Sequence, residues 1–389
     1  MSRRKRVALL IETSSSYGRG LLEGVVRFMR VRDDWSVFLE LRDLAAQPPT
    51  WLDSWDGDGV LSRVTTPAVR AAAEAAGVPL VDLTDRRPDA EGPAIRSDDA
   101  AIGRAAADHL LERGFRSLGV CGFDGEAWAA RRERAFAARV LEAHGPDAEC
   151  PAYRSPWPGP DAPTWEEDQA RIGDWLTKLE PPFAVFCVND PRGHQVLTAC
   201  GELGLDVPEE AAVLGVDNDE LLCRVGPVSM SSVRPNTEAI GYRAAERLDA
   251  LMRGEAPGGG DPCETVPPLG VVLRQSTDVV AIEDPRIASA LRYIRQNAGD
   301  GITVEDVVKA TGVSRSTLER QVRRHLGRTP QEEIRSVQVD RVRDLLLTTD
   351  LPADQIAGLA GFKHAEYMHV VFRRVTGQTP GAFRKSSQS

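Results

Sequence analysis

RRHLGRTP (Arg323–Pro330) returns fifty residues later as RRVTGQTP (Arg373–Pro380). Upstream of each copy lies the same layout: a short helix, a glycine turn and a second amphipathic helix. In the first unit Thr303 is placed to cap a helix over Val304–Thr311, Gly312-Val313-Ser314 makes the turn, and Arg315–Leu326 follows. In the second, Ala353–Ala360 leads through Gly361-Phe362 to His364–Val375. Glycine enters positive φ without strain, which suits both turns, and Ser314 stands where an N-cap belongs. The repeat therefore predicts two helix-turn-helix units in tandem.

The faces of these helices point to a partner. Leu318, Val322 and Leu326 recur at four-residue spacing and form a buried stripe, leaving Arg315, Ser316, Glu319, Arg320, Arg323 and Arg324 on the other faces. An apolar back and an arginine-rich front suit entry into the major groove, where arginine forks match guanine edges or phosphate oxygens. Arg315, Thr317 and Arg320 are the candidates for base edges; Arg323, Arg324, Arg373 and Arg374 fit phosphate better. In the second unit Tyr367 or Met368, Val371 and Phe372 supply the buried stripe, and His364, Glu366, His369 and Arg373 are exposed candidates. Charge agrees. Residues 286–389 hold 17 Lys/Arg against 11 Asp/Glu, a net of +6, whereas the preceding 285 hold 31 against 47, a net of −16. An overall charge of −10 thus hides a basic module that attracts polyanions beside an acidic body that repels them.

On these residues, 286–386 resembles an AraC/XylS-type DNA-binding domain. The hallmark positions are Ile356-Ala357, Gly361-Phe362, Phe372, Gly377, Thr379-Pro380 and Arg384. The resemblance implies an all-α domain, a central helix near Gln331–Leu347 holding the two units, and recognition helices in successive major grooves of a double-stranded DNA operator. Val322 departs from the family, which usually carries a bulkier aromatic there.

Residues 1–280 read differently. Short apolar runs predict strands at Val7–Ile11, Val37–Leu41, Gly59–Ser62, Pro79–Asp82, Ser117–Cys121, Ala184–Val188 and Ala212–Val216. Amphipathic stretches predict helices at Gly20–Val31, Pro67–Ala76, Ala100–Arg113, Ala127–Ala143 and Pro191–Leu203. This alternation calls for parallel α/β sheets covered on both faces. Ser155–Pro163 and Gly254–Pro262 read as surface loops, and the pattern changes over Thr277–Pro285. The six cysteines are scattered, with no CxxC pair, so neither a disulfide framework nor a metal site is expected. The apolar run near the N-terminus stops at Glu12, short of the roughly 7–15 residues of a secretory core. A cytoplasmic protein without a membrane span is the expectation.

Polar residues gather at predicted strand ends, where open α/β sheets bind ligands. Thr13–Arg19, including Tyr17, follows the first strand. Trp128 and Arg132 lie four apart before Ala135-Phe136. Asn189-Asp190 and Asp217-Asn218 each follow a strand. Carboxylates, amides and an arginine can engage vicinal hydroxyls, and an indole can cover the C–H face of a ring, so a polyol suits this set. Arg132-x-x-Ala135-Phe136, Val213–Asn218 and Ser231-Ser232-Val233 make the region resemble the two-lobed, periplasmic-binding-protein-like sensors of the lactose- and ribose-repressor superfamily. Such a sensor joined to an AraC-type tail is similar to the xylose operon regulators over essentially the whole chain. The resemblance implies that Asp217, Asn218 and Arg132, then Asp190, Tyr17 and Trp128, touch a small sugar, a pentose such as xylose. It also implies lobe crossings near Asp98-Asp99, Met230–Val233 and Cys263–Pro267, a homodimer, and RNA polymerase as a further partner. An enzyme is the competing reading, but no nucleophile elbow, metal-ligand cluster or cofactor loop is present. A secreted sugar-binding protein is opposed by the basic tail. A regulator answering to a non-sugar ligand or a protein partner stays open.

Overall fold

A computed structural model describes residues 3–32, 34–40, 49–86, 92–159, 162–255, 263–279, 284–349 and 351–387. They form two compact units, Met1–Asp278 and Val279–Ser389.

The first unit holds two six-stranded sheets. One is built from β1 (Lys5–Leu10), β2 (Trp35–Leu39), β3 (Gly59–Ser62), β4 (Leu80–Asp82), β5 (Ala94–Ser97) and, much later in the chain, β11 (Cys263–Val266). Its order is β11-β5-β4-β3-β1-β2, all parallel. Alternation along β1 explains how both faces are covered. Val7, Leu9 and Ile11 pack beneath α1 (Ser16–Arg32) and α7 (Thr237–Met252), while Ala8 and Leu10 pack with Leu52 and Trp55 and with Val69 from α2 (Pro67–Ala75). The other sheet has the order β12-β10-β9-β8-β6-β7. Its strands are β6 (Ser117–Asp124), β7 (Ala152–Pro156), β8 (Phe183–Cys187), β9 (Ala211–Val216), β10 (Ser231–Arg234) and β12 (Gly270–Val272), of which only β12 pairs antiparallel. Helices α3 (Asp99–Leu111), α4 (Ala127–His144), α5 (Trp165–Leu176) and α6 (Asp190–Glu202) cover it.

The seven expected strands and five expected helices stand within a few residues of their predicted places, except that Leu41 lies outside the described residues. Strands β5, β7, β10, β11 and β12 and helices α5 and α7 are additions. Ser155-Pro156 belongs to β7, so the loop expected there begins at Trp157, and most of Gly254–Pro262 lies outside the described residues. The chain crosses between lobes at Asp98, at Pro235-Asn236 and at Pro267–Leu269. The second crossing therefore comes after the expected Met230–Val233, because Ser231–Arg234 pairs into the second sheet as β10.

The second unit is entirely helical among its described residues: α8 (Pro285–Asn297), α9 (Val304–Thr311), α10 (Arg315–Leu326), α11 (Pro330–Thr348), α12 (Ala353–Leu359), α13 (Ala365–Thr376) and α14 (Pro380–Ser387). The repeated RRxxGxTP is a stop and start signal. Gly327 and Gly377 end α10 and α13 at φ 68° and 76°. Thr329 and Thr379 then accept from the first free amides of α11 and α14, with Pro330 and Pro380 at the first helical position.

Each half of this unit has its own core. Leu291, Ile294, Val307, Leu318, Val322 and Ile334 belong to the first, and Val339, Val342, Ile356, Met368 and Phe372 to the second. Of the two residues offered for the stripe of α13, Met368 is buried and Tyr367 is half exposed. Val322 is fully buried despite its small size. Helix α11 turns Ile334 to one half and Val339, Val342 and Leu346 to the other. Between them Gln338 is buried, and its Nε2 donates to the carbonyls of Ala298 and Gly361, each at 2.9 Å. Gly361, at φ 79°, sits so close to the Ala298 carbonyl that a Cβ would stand 2.3 Å from it.

Candidate functional site in the cleft and on the reader helices

In the first lobe three strands end in charge. Glu12 follows β1, Arg63 follows β3 and Asp85 follows β4, and all three side chains are buried. Arg63 Nη1 lies 3.1 Å from Glu12 Oε1, and its Nη2 lies 3.3 Å from Asp85 Oδ2. The guanidinium also stands 4.2 Å from the centre of the Tyr17 ring. Tyr17, in the first turn of α1, shares a 2.8 Å hydrogen bond with Ser97. Burial pushes its phenol up, so it stays neutral. Glu12 Oε2, Arg63 Nε and Asp85 Oδ1 are buried polar atoms without a hydrogen-bond partner among the described residues. Such atoms are costly unless something satisfies them.

The second lobe answers with its own strand ends. Arg132, fully buried in α4, donates from Nε to Asp99 Oδ1 (2.9 Å) and from Nη1 to the Val188 carbonyl (2.7 Å). Its Nη1 is 3.9 Å from Asp217 Oδ1, and its guanidinium lies 4.8 Å from the centre of the Trp128 ring. Trp128 Nε1 donates to Glu126 Oε2 at 3.0 Å. Asp217 and Asn218 occupy the loop after β9 with φ 106° and 51°, the only non-glycine residues at positive φ among those described. A residue held this way costs about 1–3 kcal/mol and persists only where its surroundings fix it. Burial pushes the Asp217 carboxyl up to about 7, although Arg132 and Arg63 pull it the other way. Asn218 Oδ1 accepts from Arg274 Nη2 at 2.8 Å. Asp190, at the start of α6, is completely buried, and both of its oxygens accept protein hydrogen bonds. Burial, helped by the neighbouring Asp217 charge, pushes its carboxyl up to about 8.

Of the sequence-derived set, Arg132, Trp128 and Asp217 come together directly. Tyr17 joins through Arg63, Asn218 turns toward Arg274, and Asp190 lies behind the wall. Glu12, Arg63 and Asp85 were missed, although each follows a strand that the sequence does reveal. Contacts that span the lobes nearby include Arg86 Nε donating to Glu126 Oε2 at 2.8 Å and Arg131 Nη2 to the Asp85 carbonyl at 2.9 Å.

On the second unit, Ser314 caps α10 by accepting from the Thr317 amide at 3.3 Å, and its hydroxyl donates to Thr317 Oγ1 at 2.9 Å. Arg315 is exposed but ion-paired with Glu305 and with Glu319, the latter at 3.0 Å. Arg320, Arg323, Arg324 and Arg373 are exposed and carry no ion pair among the described residues. His364 is exposed at the N-cap of α13, and His369 is exposed within it. Arg384 donates to the carbonyls of Thr349 and Leu351, at 3.2 and 2.9 Å, just past the end of α11. There a cation complements the helix dipole.

A periplasmic binding protein-like domain model matches residues 107–277, and a helix-turn-helix domain model matches residues 307–386. The xylose operon regulatory protein of Escherichia coli (strain K12) is 32% identical over 393 residues, covering 98% of this chain and 97% of that one. The chain belongs to the xylose operon regulator family. As a member of that family it is a DNA-binding transcription regulator, with a two-lobed sensor and two helix-turn-helix units. The Haemophilus influenzae xylose operon regulatory protein is 28% identical, covering 97% of this chain and 98% of its own. A solved structure described as the xylose-binding transcription activator xylR matches this family member with a TM-score of 0.78 and 30% identity, over 99% of both chains. No described helix is long and apolar enough to cross a membrane.

Proposed function

We propose that this regulator binds a pentose, with D-xylose as the first candidate, between the lobes of its sensor and changes its grip on an operator in response. The observation that supports this most is the set of three buried polar atoms on Glu12, Arg63 and Asp85 that have no hydrogen-bond partner among the described residues. They include both acceptors and a donor, and a sugar hydroxyl can serve either kind. Asp217, Asn218 and Arg132 supply the facing contacts, Tyr17 lines the first-lobe wall, and the Trp128 indole covers a C–H face, with Asp190 behind them. Two relatives named for xylose, matched over nearly their full length, support the same ligand.

On the DNA side, Arg320, Arg315 and Thr317 address base edges in the first groove, Arg315 after release from its glutamates. Arg323, Arg324 and Arg373 hold phosphates, and His364 and His369 stand on the second reader helix. The protein acts as a cytoplasmic homodimer that contacts RNA polymerase, and it works by binding and not by catalysis. Sugar stabilises whichever arrangement of the lobes it binds better, and that preference is passed to the readers.

A thermal-shift screen of purified protein against pentoses and hexoses, paired with gel-shift titration on promoter DNA, tests this. A pentose that raises the melting temperature and alters DNA affinity is the expected result. Turnover of the sugar would make the protein an enzyme. Silence across all sugars would leave a non-sugar ligand or a protein partner as the effector.

A further inference from the structure

Asp190 is completely buried beside the cleft in the second lobe, and its partners form a chain leading to Asp217. Its Oδ2 accepts from the Asp219 amide at 2.7 Å. Its Oδ1 accepts from the Ser232 hydroxyl at 2.7 Å, and that hydroxyl oxygen accepts in turn from the Asn218 amide at 2.9 Å. Two successive amides of the loop, Asn218 and Asp219, are thus held by one carboxylate, directly or through one hydroxyl. The Asp217 amide is fixed separately to the Val233 carbonyl at 3.1 Å. Asp217 and Asn218 are the two residues whose positive φ needs such restraint.

The strand beneath makes room for this arrangement. Gly215 of β9 faces Asp190, and a Cβ there would stand 2.2 Å from Asp190 Oδ1. A side chain at position 215 and a carboxylate at 190 therefore exclude each other.

We propose that Asp190 is a positioning residue for the sugar site: it touches no ligand and acts by clamping the left-handed Asp217-Asn218 turn so that the Asp217 carboxylate faces the cleft. The inference rests on the sugar-binding reading above and assigns Asp190 a role within it. Because it acts through the Asp217-Asn218 turn, its effect shrinks when Asp217 is removed.

The test is a double-mutant cycle on the full chain, read by calorimetric titration with D-xylose. Asp217→Ala weakens binding roughly 100-fold or more, Asp190→Ala weakens it roughly 10- to 100-fold, and the double variant loses clearly less than the product of the two factors. Gly215→Ala, which changes no charge and no residue of the wall, reproduces the loss seen with Asp190→Ala. Circular dichroism with urea unfolding identifies any variant that fails to fold; if Asp190→Ala fails, Asp190→Asn and Gly215→Ala complete the cycle. Additive losses, or a Gly215→Ala protein that binds like the parent, overturn the clamp. An Asp217→Ala protein that binds normally overturns the sugar-site reading instead.

Discussion

At the residue scale, the sensor keeps Glu12, Arg63, Asp85, Asp99 and Arg132 out of water beside its cleft. The second-lobe members were legible because they come in recognisable company: Asp217-Asn218 after an apolar strand, and Arg132 a turn from Trp128. Glu12, Arg63 and Asp85 were not. They lie far apart in sequence, and only folding brings them together. Their network makes Arg63→Met a sharp probe. It leaves Glu12 and Asp85 buried without their cation, so we expect the thermal midpoint of the sensor to fall, by about 3–5 kcal/mol of stability, and the response to sugar to be lost. Differential scanning fluorimetry with and without pentose measures both effects. The raised carboxyls give a second prediction. Asp217 at about 7 and Asp190 at about 8 bind protons more tightly folded than unfolded. Their contribution to stability is complete below the ordinary carboxylate range, diminishes as pH rises above it, and is gone once pH has passed 7 to 8. Buried His109, lowered to about 3, acts in the opposite sense, but only below its ordinary value near 6.5. The melting temperature should therefore fall between about pH 6.5 and 8 and level off above that, and Asp190→Asn should flatten that slope; an unchanged slope would contradict the assignment.

At the element scale, the readers were the most legible part of the chain, because helix starts and stops are written locally. Gly312, Ser314, Gly327 and Thr329 each do in the structure what their residue type suggests, and the boundaries of α9 and α10 coincide with those read from sequence. Strands β5, β10 and β11 were not legible. Segments such as Ala94–Ser97 and Cys263–Val266 carry too few apolar residues to announce themselves, and they are strands because neighbours pair with them. Gln338 is another such case, a polar residue in mid-helix whose meaning appears only when two carbonyls from separate segments converge on it. Gln338→Ala leaves both carbonyls unpaired and should cost the helical unit about 1–3 kcal/mol. It should also weaken binding to DNA that spans both grooves more than binding to DNA that carries one. Urea unfolding and gel-shift titration on the two duplexes would check this, and equal losses on both would contradict a coupling role. Arg320→Ala, on the exposed face of α10, should weaken specific binding more than non-specific binding at fixed salt. An equal loss on both would make it a phosphate contact.

At the scale of the whole molecule, an acidic two-lobed sensor and a basic pair of readers share one chain, with net charges of −16 and +6 on either side of residue 286. That division was visible in the sequence, and so was the identity of each half. What the sequence did not convey was that Glu12, Arg63 and Asp85 of the first lobe come together beside Tyr17. The most direct measurement is a calorimetric titration of the full chain with D-xylose, run beside the Asp217→Ala variant. The account predicts saturable binding of one sugar per chain in the parent and its loss in the variant, with DNA binding in the absence of sugar retained by both. Equal heats from parent and variant, or no binding of any pentose by the parent, would contradict it.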